Sequence, residues 1–126
     1  MPAGKRGTVL VVDDSPTETR VFVDALVKAG FRTESASNGE EGVRAARRLH
    51  PDVILMDVVM PVLNGFQATR QLQRDPETAN IPVIMVTSKD QETDRAWGLR
   101  QGALDYLVKP VNAQDLVARV RKALGE

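Results

Sequence analysis

The sequence contains no cysteine, and an excess of either charge is also missing. The absence of cysteine excludes disulfide bonds, thiolate metal sites and cysteine nucleophiles, and it is compatible with a reducing compartment. Basic and acidic residues number 17 each, so no overall field attracts nucleic acid or an anionic membrane surface. No run approaches the roughly 20 apolar residues that span a bilayer, and the first residues lack the form of a secretion signal. We therefore expect a cytoplasmic protein that neither binds nucleic acid nor inserts into a membrane.

Length and composition fit one domain. The chain has 126 residues, 42% of them hydrophobic, which is enough for a single core. It contains no internal repeat, low-complexity tract or linker. Residues 1–7 (M-P-A-G-K-R-G) predict a flexible N-terminal tail, and residues 8–126 predict a single domain without an output domain after it.

Five strand-like runs alternate with five helix-like runs, a pattern typical of an α/β domain with a parallel sheet. The first, third and fourth runs are continuously apolar, as in strands covered by helices on both faces. The second run (F-R-T-E-S-A) alternates and the fifth (A-L-D-Y-L-V) carries an acid, so both fit the sheet edges. With right-handed crossovers, this predicts a doubly wound, flavodoxin-like sheet of order 2-1-3-4-5 with helices on both faces. The predicted strands cover residues 8–13, 31–36, 52–57, 82–87 and 104–108.

Capping residues mark the start of the first helix. Ser15 precedes Pro16, and Glu18 is spaced to complete a capping box with Ser15. Gly30 marks the end of this helix. The helical spacing of its apolar residues predicts that it buries Val21, Phe22, Ala25, Leu26 and Ala29.

Three further helices begin at asparagines, namely Asn38, Asn64 and Asn112. The remaining helix, the fourth, covers about residues 90–101 and is poor in apolar residues, so we expect it to be weakly held and easily moved. Trp97 either packs in the core or belongs to a partner surface, and core packing is favoured because a large ring is seldom left fully exposed. The apolar residues that this helix offers for burial are Ala96, Trp97 and Leu99.

Polar residues follow the predicted strands at their carboxyl ends, where ligands bind in sheets of this kind. Asp13 and Asp14 follow the first strand, Asp57 the third, Thr87 the fourth and Lys109 the fifth. Carboxylate oxygens suit Mg²⁺, and a cation also offsets the repulsion between adjacent acids. A carboxylate can attack a phosphoryl group and form an acyl phosphate when cations and hydroxyls neutralise the phosphoryl oxygens. The sequence therefore predicts phosphoryl acceptance at Asp57.

Taken singly, each of these residues has a simpler explanation. Asp13 and Asp14 could form a helix-capping turn, Thr87 could simply end a strand, and Lys109 could be a solvated surface lysine. The Lys109–Pro110 bond could be trans, the usual case, or cis, which would direct the lysine inward. Only their joint placement at successive strand ends favours a site.

Four motifs, V-D-D, L-M-D-V-V-M-P, V-T-S and Y-L-V-K-P, together resemble those of bacterial response-regulator receiver domains, the CheY-like family, over residues 8–124. The resemblance implies a two-component phosphorelay protein that takes a phosphoryl group from a histidine kinase or histidine phosphotransfer domain. Such a protein is not an enzyme beyond promoting its own phosphorylation and dephosphorylation. The resemblance implies that Asp57 is the phosphoacceptor and that Mg²⁺ is held by Asp13, Asp14, Asp57 and the Val59 backbone carbonyl.

The resemblance also assigns roles to residues around this site. Thr87 and Tyr106 resemble the switch pair, and Lys109 resembles the phosphoryl-binding lysine. Phosphorylation would draw the Thr87 hydroxyl inward, the Tyr106 ring would enter the space left, and a downstream protein would bind the face formed by helix four, strand five and helix five. Val59 and Lys89 tune the lifetime of the acyl phosphate, and the apolar Val59 side chain favours slow hydrolysis.

Further stretches of the sequence suggest a pathway, and several alternative functions are also considered. Three stretches resemble regulators of type IV pilus twitching motility: N-G-F-Q-A-T-R-Q-L, T-S-K-D-Q-E-T-D-R-A-W-G and R-Q-G-A-L-D-Y-L-V-K-P. Another chemotaxis-like pathway stays open. A phosphate sink and a phosphorylation-independent binding domain stay open. A flavin carrier is less favoured because Asp13 and Asp14 would repel a flavin phosphate. A haloacid-dehalogenase-like phosphatase would need D-x-D at the nucleophile, whereas this chain has Asp57-Val58-Val59.

Overall fold

The computed structural model describes residues 7–126 and has the predicted α/β architecture. All five strands are parallel, and their order in the sheet is β2-β1-β3-β4-β5. No helix within the described residues is long and apolar enough to cross a membrane. The strands are β1 (Thr8–Val12), β2 (Arg32–Ala36), β3 (Val53–Met56), β4 (Val83–Thr87) and β5 (Asp105–Val108), and the helices are α1 (Pro16–Lys28), α2 (Gly39–Leu49), α3 (Gly65–Arg74), α4 (Glu92–Gln101) and α5 (Ala113–Ala123).

The predicted tail of residues 1–7 lies outside the described residues except for Gly7. The Gly7 carbonyl oxygen accepts a hydrogen bond from the Arg32 amide at 3.1 Å, beside the start of β2. Its φ of +78° suits glycine, and a Cβ there would lie 2.4 Å from Asp52 Oδ2. Gly7 therefore belongs to the folded domain and not to a tail.

Alternate residues of the central strands face two separate cores. Val9 and Val11 pack with Phe22 of α1 on one face of the sheet, in the core that α5 also covers. Leu10 and Val12 pack on the other face, in the core that α2 and α3 cover. Helices on both faces explain why the inner strands have no polar face, as the sequence predicted.

The predicted helix starts are confirmed, with one difference at α1. The side chains of Asn38, Asn64 and Asn112 each accept a hydrogen bond from an amide in the first turn of their helix. At α1, Ser15 Oγ accepts from the Glu18 amide at 3.2 Å. The second half of the capping box is wrong, because the Ser15 amide donates to Asp13 Oδ1 and the Glu18 carboxylate turns towards a cation instead.

The predicted burial of the apolar residues of α1 is correct except at Val21. Phe22 and Leu26 of α1 are buried as expected, and Ala25 and Ala29 are partly buried, but Val21 is 55% exposed. The core contacts of α1 are centred on Phe22 and Leu26, one turn apart, and Val21 lies at the edge of that stripe.

The predicted burial of Trp97 is wrong. Trp97 is 46% exposed, and Ala96 and Leu99 are exposed as well. The buried residue of α4 is Gly98, at which a Cβ would lie 2.7 Å from Met85 Sδ and 3.0 Å from Tyr106 Cδ2. Because Gly98 faces the sheet and each residue of a helix turns by about 100°, its neighbours Trp97 and Leu99 point away from the sheet.

Candidate functional site

Backbone hydrogen bonds just beyond the strand ends hold Asp13, Asp57 and Lys109 in position. The Asp13 amide donates to the last residue of β2 at 3.1 Å, and the Asp57 amide donates to the Val12 carbonyl at 2.9 Å. The Lys109 amide donates to the Thr87 carbonyl at 2.8 Å, and the Lys109–Pro110 peptide bond is cis. The parallel register therefore brings residues from the ends of four strands, β1, β3, β4 and β5, to one edge of the sheet.

A cavity of about 620 Å³ opens at this edge. One carboxylate oxygen each from Asp13, Asp14 and Asp57 lies within 4.8 Å of the others. Asp13 and Asp57 are buried, whereas Asp14 is exposed. The other residues that line the cavity are Ser15, Glu18, Val21, Phe22, Val59, Ser88, Lys109, Pro110 and Val111.

The Lys109 ammonium is surrounded by carboxylates. Its Nζ lies 2.9 Å from Asp13 Oδ2 and 3.3 Å from Asp57 Oδ2, and it forms an ion pair with Glu18. The Phe22 ring lies below it, with its centroid 5.9 Å from Nζ. Partial burial lowers the pKa of Lys109, but these carboxylates outweigh burial and place its pKa above the ordinary value.

The Asp57 carboxylate is oriented through both of its oxygens. Oδ1 accepts a hydrogen bond from the Val58 amide at 2.7 Å, and Oδ2 accepts one from Lys109 Nζ at 3.3 Å. The carboxylate therefore presents a fixed nucleophilic oxygen to the cavity, beside an ammonium that can neutralise an incoming anion.

The donor set of the cavity fits a hard divalent cation. Carboxylate oxygens of Asp13, Asp14 and Asp57 converge, and such ligands suit Mg²⁺, which keeps several waters in its coordination shell. Together with Glu18, four carboxylates face the single ammonium of Lys109, so the cavity holds an excess of negative charge. A divalent cation offsets this excess.

Thr87 and Tyr106 lie behind the cavity, and both contact the backbone of Lys89. Thr87 Oγ1 accepts a hydrogen bond from the Lys89 amide at 3.4 Å, and the Tyr106 hydroxyl donates to the Lys89 carbonyl at 2.8 Å. Burial, followed by the charges of nearby aspartates, raises the pKa of Tyr106 to about 12. Tyr106 is only 2% exposed, so its ring is buried without a phosphoryl group on Asp57, whereas the sequence analysis expected the ring to move inward on phosphorylation.

Val59 and Lys89 flank the site. Val59 is 59% exposed and lines the cavity with its apolar side chain. The Lys89 ammonium lies 3.9 Å from Asp94 Oδ1, on the α4 side. The Lys89 side chain is also 40% exposed to solvent.

Glu18 and Phe22 are site residues that the sequence analysis missed. It assigned Glu18 to the helix cap and Phe22 to the core. The available signal was their spacing of one helical turn, which places both on the face of α1 that meets the strand ends. This spacing indicates the face of α1 on which Glu18 lies, but it does not indicate that Glu18 pairs with Lys109, which is far away in the sequence.

Comparisons with known proteins agree with this geometry. Residues 9–121 match the response regulator receiver domain family. The protein PilH of Pseudomonas aeruginosa is 57% identical over 117 residues, which cover 93% of this chain and 97% of PilH.

Solved structures of receiver domains and chemotaxis proteins are similar to this fold. The receiver domain of the sensor histidine kinase PA1611 from Pseudomonas aeruginosa, with a magnesium ion coordinated in its active site cleft, superposes with a TM-score of 0.88 at 32% identity and covers 95% of this chain and 98% of its own. The chemotaxis protein CheY4 of Vibrio cholerae superposes with a TM-score of 0.86 at 31% identity, covering 92% of this chain and 97% of its own.

Proposed function

The chain belongs to the response regulator receiver domain family, and from this membership we propose that Asp57 accepts a phosphoryl group from a phosphohistidine. The observation that carries the proposal is the Asp57 carboxylate, held by Lys109 and the Val58 amide at a cavity with two further aspartates. Family membership sets aside the flavin carrier and the haloacid-dehalogenase-like phosphatase.

In the proposed transfer, one bond to phosphorus forms at Asp57 as another breaks at the donor histidine. A carboxylate oxygen attacks phosphorus, the phosphorus–nitrogen bond of the donor histidine breaks, and the leaving imidazole nitrogen takes up a proton. Lys109 neutralises the phosphoryl oxygens, since its ammonium already lies 3.3 Å from the attacking carboxylate. Asp13, Asp14, Asp57 and the Val59 carbonyl would hold Mg²⁺, which supplies further positive charge when bound.

The proposed switch acts through the β4–α4 loop. Thr87 and Tyr106 both hold Lys89, one through its amide and the other through its carbonyl. A phosphoryl group on Asp57 competes for the Thr87 hydroxyl and so changes the position of this loop and of α4. Because the Tyr106 ring is already inside, phosphorylation is proposed to stabilise its inner position, and a partner reads the face formed by α4, β5 and α5.

The lifetime of the acyl phosphate is proposed to be long. Val59 has no polar atom to orient a hydrolytic water, and Lys89 is paired with Asp94. Val59→Asn supplies such a polar group, and we expect it to speed the decay of phosphorylated Asp57. Equal or slower decay than in the native chain would contradict this part of the proposal.

The proposed pathway is the control of type IV pilus twitching motility, supported by 57% identity to PilH over nearly the whole of both chains. The donor would be a histidine kinase or a histidine phosphotransfer domain of that pathway. We further propose that residues 8–126, together with Gly7, form a single receiver domain. A phosphate sink is the second candidate, and fast decay of the acyl phosphate, against the expectation from the apolar Val59, would favour it.

Mass spectrometry tests the proposal directly. The protein is incubated with acetyl phosphate and MgCl₂, and the added phosphoryl mass is located by peptide mapping. We expect it on Asp57, lost in Asp57→Asn and kept in Asp24→Asn, whose carboxylate lies on the exposed side of α1. Modification at another residue, or none in the native chain, would overturn the proposal.

A further inference from the structure

A cationic cleft lies between α3 and α4, away from the phosphoryl site. It has a volume of about 440 Å³. Two arginines come from α3 and one from α4, and the exposed ring of Trp97 lies among them. The residues that line it are Arg70, Gln73, Arg74, Trp97, Arg100 and Gln101.

The charge of this cleft is not compensated within the fold. None of Arg70, Arg74 and Arg100 forms an ion pair within residues 7–126. Asp75 follows Arg74 directly, but its carboxylate is bound to Arg47 at 2.8 Å, on the α2 side. The arginines are therefore available to an anion from outside.

The side chains present select one class of ligand. A guanidinium binds a carboxylate through two parallel hydrogen bonds, and an indole ring supplies apolar contact area. Trp and Arg are also the residues that most often carry the binding energy of protein interfaces. Glu92 and Asp94 in the first turn of α4 limit the positive region to the other end of the helix, which disfavours a long polyanion such as nucleic acid.

We propose that this cleft, formed by α3 and the C-terminal half of α4, binds an acidic segment of a partner protein in which carboxylates flank an apolar side chain. The carboxylates would pair with Arg70, Arg74 and Arg100, and the apolar side chain would pack on Trp97. The site differs from the α4–β5–α5 face of the proposed switch, because two of its arginines belong to α3.

Trp97 makes the proposal measurable, because it is the only tryptophan of the chain. A short synthetic peptide of alternating glutamate and leucine is titrated into the unphosphorylated protein at low salt while Trp97 emission is recorded. We expect a saturable change with this peptide, none with the matched glutamine–leucine peptide, and a loss of the change at high salt.

Variants decide whether the cleft itself is responsible. Arg70→Ala and Arg100→Ala should each weaken peptide binding about tenfold, as for residues that carry interface energy. Arg48→Ala is the matched control, since Arg48 is an exposed arginine of α2 outside the cleft, and it should bind the peptide as the native chain does. Circular dichroism melting confirms that each variant is folded.

Several results would overturn the proposal: no emission change, an equal response to the glutamine peptide, or unaltered binding by both cleft variants. Stronger binding of a short DNA duplex than of the acidic peptide would overturn it in favour of nucleic acid. The titration uses unphosphorylated protein, so its outcome is independent of whether Asp57 accepts a phosphoryl group.

Discussion

The Glu18 carboxylate contacts the Lys109 ammonium, so an acid of α1 engages the cation that faces Asp57. The contact adds a fourth carboxylate to a cavity that already contains three aspartates. In the proposed function this places Glu18 in competition with the incoming phosphoryl group for Lys109. We therefore expect Glu18 to oppose the proposed phosphorylation of Asp57.

We expect Glu18→Gln to speed the phosphorylation of Asp57 by acetyl phosphate. The substitution keeps the shape of the side chain, removes one negative charge and frees Lys109. Relief of about 1 kcal/mol of repulsion corresponds to roughly a fivefold higher rate. Phosphate incorporation is measured over time, with Glu34→Gln on the exposed face of β2 as control. Slower incorporation would mean that Glu18 assists the transfer.

We expect the Asp14 carboxylate to affect the stability of the fold in opposite directions without and with Mg²⁺. It is exposed, lies within 4.8 Å of the other two carboxylates, and pairs with no cation in the described part of the chain. We expect Asp14→Asn to raise the free energy of unfolding in metal-free buffer by about 0.5 kcal/mol, because it removes repulsion.

With Mg²⁺ the order of the two proteins should reverse. An ion at 100 times its dissociation constant stabilises the native chain by about 2.7 kcal/mol, and the variant should lose most of this gain. Thermal melting with MgCl₂ and with EDTA gives both values. An equal Mg²⁺ effect in the two proteins would remove Asp14 from the proposed ligand set.

Most of the fold could be predicted from the sequence, because its signals are local. Apolar runs mark the inner strands, capping asparagines mark three helices, and both edge strands are correct. The acidic cluster was predictable for a related reason, since parallel strands end at one edge of the sheet. These inferences needed only periodicity and topology.

The predictions for Trp97 and Glu18 were wrong because long-range contacts determine the positions of these side chains. Trp97 was expected in the core, but Gly98 is the residue of α4 that faces Met85 and Tyr106. Glu18 has the spacing of a capping residue, and a cation far along the chain, Lys109, binds it instead. In both places a contact between distant residues decides the outcome, and no local pattern encodes it.

Tyr106 should titrate at unusually high pH, and it is the only tyrosine of the chain. Burial, then the charges of Asp94, Asp57 and Asp90, raise its pKa from 10.0 to about 12. The resulting stabilisation is complete below pH 10 and is lost as the pH rises towards 12, because only the neutral phenol is favoured in the folded state. We expect phenolate absorbance to reach half its final value near pH 12 in the folded protein.

A matched variant separates this effect from other alkaline titrations. Tyr106→Phe cannot ionise, so its free energy of unfolding should fall less than that of the native chain between pH 10 and pH 12. Half-titration of the native chain near pH 10 would show that the ring is solvated, contrary to its buried position.

Gly98→Ala tests whether α4 presses on Tyr106. An alanine inside a helix normally stabilises it by about 1 kcal/mol relative to glycine. Here the new Cβ would lie 2.7 Å from Met85 Sδ and 3.0 Å from Tyr106 Cδ2, and both side chains are buried. We therefore expect the opposite sign, a loss of about 1–3 kcal/mol, as for overpacked cores.

Thr93→Ala provides the control, because Thr93 is an exposed residue of the same helix and gains propensity without a new contact. A second measurement, the pKa of Tyr106, should move back towards 10 in Gly98→Ala as the ring is pushed outward. If both variants stabilise the protein and the pKa stays near 12, α4 is not in tight contact with the ring. The proposed coupling from Tyr106 to α4 would then have to pass through hydrogen bonds: the Tyr106 hydroxyl donates to the Lys89 carbonyl, and Arg95 of α4 donates to the Tyr106 carbonyl at 3.3 Å.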